Sequence, residues 1–183
     1  MKINHIYKQL INEGKEKHSY GCVMLFLDEK STELKRAQKL IKEEDLYLGT
    51  EDDGGYGRET EPHVTILYGI HKDVPDEDVE ELIEKMSAPE LVLEDITLFD
   101  NPDFDVVKFD VNNEDLNKYN KMFSELPHTT DYPDYHAHVT VAYVKPGKGE
   151  QYVQKLDKTQ KISIKPNKIV YSKSDGSKKT YDF

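Results

Sequence analysis

The sequence is poor in cysteine, lacks tryptophan and contains no long apolar run. Its one cysteine, Cys22, excludes an intramolecular disulfide and leaves no basis for a cysteine-ligated metal site. No apolar stretch approaches the roughly 20 residues of a membrane-spanning helix. Residues 1–5 do not have the pattern of a secretory signal peptide. These absences predict a protein of the reducing cytoplasm with no membrane partner.

Positive charge is also scarce. Asp and Glu number 36 against 25 Lys and Arg, so the formal net charge is −11. A protein that follows a long polynucleotide neutralises phosphates with lysine and arginine, and this balance argues against such a partner. It favours a small anionic ligand or a short oligonucleotide in a local pocket. Nothing in the sequence indicates an obligate protein partner.

The sequence does have enough apolar and aromatic residues for a core, and their spacing alternates between strand and helix patterns. Strands are predicted at residues 20–28, 62–70, 90–99, 104–111, 136–144 and 161–172, with a last strand that ends at residue 183. Helices are predicted at residues 3–16, 32–43, from Asp76, from Asn113 and around Tyr152. Residues 49–60 are rich in glycine and acidic residues, which predicts a loop.

The order strand–helix–strand–helix–strand occurs twice. This repetition predicts an α+β protein built as a single domain, residues 1–183, of two pseudo-symmetric units: lobe one at about 18–100 and lobe two at about 101–183, preceded by the N-terminal helix 3–16. The middle strand of each unit carries the same tripeptide, His63-Val64-Thr65 in one and His138-Val139-Thr140 in the other. A pseudo-two-fold axis would bring these strands together across a central cleft.

Side chains two apart in a strand point to one face. His63 therefore shares a face with Thr65, and His138 shares a face with Thr140. A neutral imidazole can take a proton from an attacking hydroxyl, while a protonated one can give a proton to a leaving oxygen. Threonine hydroxyls can hold the non-bridging oxygens of a phosphate. The pattern predicts phosphoryl transfer by an acid–base pair that requires no metal.

The paired motifs resemble those of the two-histidine (2H) phosphoesterase superfamily, the RNA-ligase-T-like proteins. The resemblance covers essentially the whole chain. It implies a bilobal α+β fold around a central cleft, with neither a metal nor another cofactor. It assigns catalytic roles to His63, Thr65, His138 and Thr140.

Three segments narrow the resemblance: YGCVMLFLD at 20–28, PHVTILYG at 62–69 and HAHVTVAYV at 136–144. They are similar to the phage anti-CBASS phosphodiesterases, which destroy the cyclic di- and trinucleotide alarm signals of bacterial immunity. A phage-encoded protein of this kind would act in the host cytoplasm.

The resemblance implies a mechanism for a 3′–5′ linkage. One histidine deprotonates the ribose 2′-OH, which attacks the adjacent phosphorus, and the other protonates the departing 5′ oxygen. A 2′,3′-cyclic phosphate forms and is then open to hydrolysis. We expect His63 to be the base and His138 the acid, although the pseudo-symmetry leaves the opposite assignment open.

Several other side chains are weaker candidates. Aromatic rings provide stacking surfaces for bases, which makes Tyr20 and Tyr181 candidate substrate contacts, followed by Tyr56 in the predicted loop. His136 lies two residues before His138 and is a candidate for the rim of the site. Strand alternation places Tyr68 and Tyr143 on the faces opposite the histidines, as core residues.

Two other functions stay open. The motifs also suit an enzyme that opens RNA 2′,3′-cyclic phosphates or cleaves 2′–5′ oligoadenylate. A protein that binds a nucleotide signal without cutting it would need no acid–base pair, which argues against this third function.

Overall fold

The computed structural model of the protein describes residues 20–28, 31–49, 56–130, 134–156 and 161–183. The helix predicted at 3–16 lies outside these residues. The strands are β1 Gly21–Leu27, β2 His63–Ile70, β3 Leu91–Asp100, β4 Asp105–Val111, β5 His138–Val144, β6 Ile162–Ile164, β7 Pro166–Ser172 and β8 Lys178–Asp182. The helices are α1 Thr32–Leu40, α2 Asp76–Ile83, α3 Glu114–Phe123 and α4 Glu150–Leu156.

The strands form two antiparallel sheets of four, in the orders β2-β1-β7-β8 and β5-β4-β3-β6. The predicted α+β bilobal class is therefore confirmed. β2 and β5 are the edge strands of their sheets, and they contact each other. The two strands that carry the His-x-Thr motifs thus meet where the sheets meet.

The sheets do not follow the predicted division of the chain at residues 100 and 101. β3 pairs with β4 in the second sheet, whereas β7 and β8 come from the C-terminal end and complete the first sheet. The reason is local: only residues 101–104 separate β3 from β4, and strands joined by so short a connection pair as a hairpin. The chain crosses between sheets at Lys165, which separates β6 from β7.

One large core packs against one face of both sheets. It contains Val23 and Leu25 of β1, Phe109 of β4 and residues of all four helices. The opposite face of each sheet carries the histidine and threonine of the motif and is called here the histidine face. The two histidine faces adjoin where β2 contacts β5, because the charge of His63 acts on His138.

Each motif strand contains a β-bulge at an equivalent position. Against β1, Thr65 pairs with Met24 and Leu67 with Val23, so Ile66 is the extra residue. Against β4, Val141 is extra in the same way. Two consecutive residues of each strand then face the core, and the alternation of faces reverses beyond them.

Amide side chains from the helices bond the carbonyl groups of the bulges. Asn120 of α3 donates to Ile66 O at 2.8 Å. Gln38 of α1 donates to Glu59 O at 2.6 Å and lies 3.5 Å from Val141 O. α3, which follows β4 of the second sheet, thus supports β2 of the first sheet. α1, which follows β1 of the first sheet, supports β5 of the second sheet. These bonds link the two sheets close to the histidines.

Among the described residues, none of the helices has both the length and the apolar character needed to cross a membrane.

Candidate active site

The two histidines begin the two neighbouring edge strands, His63 in β2 and His138 in β5. Both side chains are partly exposed, and they are close enough that the charge of His63 lowers the pKa of His138. The structure therefore brings together the two residues that the sequence pairs.

Both imidazoles are held by the same hydrogen bond. His63 Nδ1 lies 2.8 Å from Glu61 O, and His138 Nδ1 lies 2.9 Å from His136 O. A carbonyl oxygen only accepts, so Nδ1 carries the hydrogen and donates it. In the neutral form this leaves Nε2 of each ring as a proton acceptor, and in the charged form as a proton donor.

An aromatic ring and a lysine lie behind each histidine. The Phe26 ring stacks on His63 at 5.4 Å between centroids, and the Phe99 ring meets His138 edge-on at 5.0 Å. Lys168 Nζ is 5.1 Å from the Phe26 ring centre, and Lys108 Nζ is 4.2 Å from that of Phe99. A cation is attracted to an aromatic face, so each of these rings holds a lysine on its histidine face, and Lys108 is also ion-paired with Asp110.

Desolvation within the site makes His138 a weaker base than an ordinary histidine, although part of its surface stays exposed. Its pKa is lowered to about 4, chiefly by desolvation and further by the charges of Lys108 and His63, against the hydrogen bond to His136 O and the carboxylate of Asp110. His138 is therefore neutral near pH 7, with Nε2 unprotonated. This is the form that a general base must have.

The two threonines share the faces of their histidines, as the sequence predicts. Thr140 is 9% exposed, and Thr65 is partly exposed. The backbone of Thr65 is bound from the other motif, because Tyr135 donates its hydroxyl to Thr65 O at 2.8 Å. Tyr135 lies three residues before His138, so this bond links the segment that leads into the second motif to the first motif.

Tyr135→Phe is expected to destabilise the protein by about 1–3 kcal/mol, since it removes only the hydroxyl and leaves a carbonyl group of the sheet short of a partner. Urea unfolding of the variant and the wild type measures this difference. An unchanged unfolding midpoint with an unchanged slope would show that the bond contributes nothing.

Tyr68 and Tyr143 do not lie where strand alternation places them. The bulges at Ile66 and Val141 reverse the alternation, so both tyrosines lie on the histidine faces. Tyr68 packs against the small cluster that contains Phe26, and Tyr143 packs in the cluster that contains Phe99. The prediction that they are core residues on the opposite faces is wrong.

Tyr20 and Tyr181, the weaker aromatic candidates, lie on opposite faces of the first sheet. Tyr20 lies edge-on to Tyr68 at 6.2 Å, on the histidine face of the first sheet. Tyr181 pairs with Ile169 on the core side and donates its hydroxyl to Glu80 of α2 at 3.0 Å. Tyr181 is thus turned away from the histidines, because its strand position faces the helix, and the structure gives no support to its predicted contact with substrate.

The predicted loop at 49–60 ends in ordered backbone pairing. The backbone N–H of Tyr143 donates to Gly57 O at 2.7 Å and that of Glu59 donates to Val141 O at 3.1 Å, so this segment covers the free edge of β5. Tyr56 lies within 5.5 Å of the Tyr47, Phe104 and Tyr143 rings, between ring centres. It borders the histidine face of the second sheet.

His136 contributes through its backbone carbonyl, which orients His138, while its side chain is exposed. Sequence reasoning passed over Lys108, Phe99, Phe26 and Tyr135. The signal for Lys108 was a lysine within the otherwise apolar part of strand 104–111. In the described residues, no group of three His, Cys, Asp or Glu side chains is placed to hold a metal ion.

The architecture is shared with a solved structure of Kluyveromyces marxianus Usb1 with uridine monophosphate. The two chains superpose with a TM-score of 0.52 at 9% sequence identity, over 91% of this chain and 99% of the Usb1 chain. This likeness shows the fold, a bilobal α+β arrangement. A comparison with curated proteins gives no match.

A family comparison identifies the chain further. Residues 56–175, about two thirds of the chain, match the family described as anti-CBASS protein Acb1. The chain therefore belongs to the anti-CBASS Acb1 family. The matched residues include both His-x-Thr motifs, whereas Tyr20 and Tyr181 lie outside them.

Proposed function

We propose that the protein is a metal-independent phosphodiesterase that cleaves 3′–5′ linkages in cyclic di- and trinucleotide immune signals. One observation carries the proposal: two imidazoles on adjacent edge strands are fixed by matching Nδ1–H bonds, so that both present Nε2. Membership of an anti-CBASS family supports a nucleotide signal as the substrate.

The structure favours His138 as the base, the reverse of the assignment expected from sequence. His138 has a pKa of about 4 and is neutral at physiological pH, so its Nε2 accepts the proton of the ribose 2′-OH. The 2′ oxygen then attacks phosphorus, and the bond from phosphorus to O5′ breaks. Protonated His63 donates from Nε2 to O5′. The products are a 5′-OH and a 2′,3′-cyclic phosphate, which water opens with the two roles exchanged.

Thr65 and Thr140 lie on the same faces as the histidines, where their hydroxyls donate to the non-bridging phosphate oxygens. The ammonium groups of Lys108 and Lys168 add positive potential behind the two imidazoles. The charge of Lys108 is offset in part by its ion pair with Asp110. A local positive contribution of this kind, in a chain that carries −11, suits a small anionic ligand better than a long polynucleotide.

A substrate panel in EDTA tests the proposal. The panel holds cyclic di- and trinucleotides, 2′–5′ oligoadenylate and an RNA that ends in a 2′,3′-cyclic phosphate, and mass spectrometry detects the products. We expect opening of the cyclic di- and trinucleotides at an undiminished rate in EDTA.

Each other outcome assigns a different function. Cleavage of the oligoadenylate or of the RNA end alone would replace the cyclic substrate with an RNA substrate. Tight binding of a cyclic nucleotide that is recovered intact after long incubation would make the protein a sequestering protein.

A further inference from the structure

The two histidines differ in the charge that lies behind them, although their motifs are duplicated. The lysine behind His138, Lys108, is 4% exposed and lies 4.2 Å from the centre of the Phe99 ring. Its counterpart behind His63, Lys168, is partly exposed and lies 5.1 Å from the Phe26 ring. Water therefore screens the charge of Lys168 more than that of Lys108.

Three contacts hold Lys108. Its ammonium group donates to Thr97 Oγ1 at 2.7 Å, donates to Asp110 Oδ1 and lies over the Phe99 ring. The lysine thus joins β3 to β4 directly beside β5, the strand of His138. Because burial of an ammonium group is costly even when it is paired, packing alone does not account for a lysine at this position.

We propose that Lys108 is a positioning residue for His138, because it holds Phe99 against the imidazole and strengthens the preference of this ring for its neutral, proton-accepting form. The proposal rests on the function proposed above and names one difference in surroundings between the two duplicated histidines. The imidazole in turn contacts the edge of Phe99 at 5.0 Å between ring centres.

The charged groups that face His138 come from two neighbouring strands. β4 contributes Lys108, which lowers the pKa of His138, and Asp110, which raises it; β2 contributes His63, which lowers it. β3 contributes the uncharged Phe99, and the residues just before β5 contribute the carbonyl group of His136. Lys108 and Asp110 therefore act on His138 with opposite signs, which gives a test that packing effects do not imitate.

The titration of the His138 imidazole is followed by NMR without substrate, in the wild type and in three variants. Lys108→Met is expected to move the midpoint upward by roughly one pH unit, because a nearby positive charge is removed. Asp110→Asn is expected to move it downward. Lys168→Met is the matched control, which lies behind the other histidine and leaves the His138 midpoint in place.

Displacements of opposite sign in the Lys108 and Asp110 variants support the proposal, and the acid limb of kcat/KM should move in the same directions. A His138 midpoint that stays in place in both variants overturns it. If Lys108→Met does not fold, Phe99→Leu takes its place, because it removes the ring that joins Lys108 to His138, and an unmoved His138 midpoint then overturns the proposal.

The titration needs no turnover, so it separates this inference from the proposed function. Failure to cleave any nucleotide would end the proposed function and leave the coupling of Lys108 to His138 standing. Cleavage of cyclic nucleotides with an unmoved midpoint would leave the function standing and remove the role of Lys108.

Discussion

His63→Ala and His138→Ala are each expected to lower kcat for a cyclic dinucleotide by about 10²–10⁴-fold, the usual contribution of a positioned acid or base. One ring takes a proton from the attacking 2′ oxygen and the other gives a proton to the departing O5′, so neither can replace the other. The double variant should be little slower than the worse single variant, because the residues act as a unit.

The control for this experiment is His128→Ala. Its Nδ1 lies 2.8 Å from Leu126 O, the same local bond that the two motif histidines make, but His128 lies beside Ile70 at the far end of β2. Cleavage of the cyclic dinucleotide is followed by chromatography, and circular dichroism checks that each variant is folded. Full turnover in the double variant would remove the histidines from the mechanism.

The shared face of each histidine and its threonine followed from sequence because it depends on a repeated local pattern. His63 and His138 each stand two residues before a threonine in an apolar strand, and alternation alone sets each pair on one face. The start of α3 was equally local: a helix was predicted from Asn113, and the side chain of this residue caps it by accepting from Leu116 N at 3.0 Å.

The bulges could not be read from the sequence in the same way. Ile66 and Val141 are ordinary strand residues, and their extra place in the register depends on the partner strands β1 and β4. An alternation that reverses within a strand sends Tyr68 and Tyr143 to the histidine faces. The relevant signal was two consecutive core-forming residues after each threonine, Ile66-Leu67 and Val141-Ala142.

The exchange of strands between the halves is a tertiary property. One extended segment was predicted at 161–172, whereas residues 162–164 and 166–172 belong to different sheets. Lys108 was missed for a related reason, since its partners Thr97 and Phe99 lie on another strand. The role of a charged residue inside a predicted core strand can be assigned only when the residues that it contacts are known.

A cyclic dinucleotide in which every 2′-OH is replaced by hydrogen is expected to be inert, because the proposed attack on phosphorus uses that hydroxyl. The analogue keeps the phosphates and bases that the site binds. It should therefore still compete with the natural ligand. A ring with a single ribose should open at the linkage next to that ribose.

Mass spectrometry in H₂¹⁸O distinguishes this route from direct attack by water. Transfer to the 2′ oxygen opens the ring without adding atoms, so the first product has the mass of the substrate and carries no ¹⁸O. The label enters only when the 2′,3′-cyclic phosphate is hydrolysed. A first product that already contains ¹⁸O, or cleavage of the all-deoxy ring at the normal rate, would mean that water is the nucleophile and that His138 activates water in the first step.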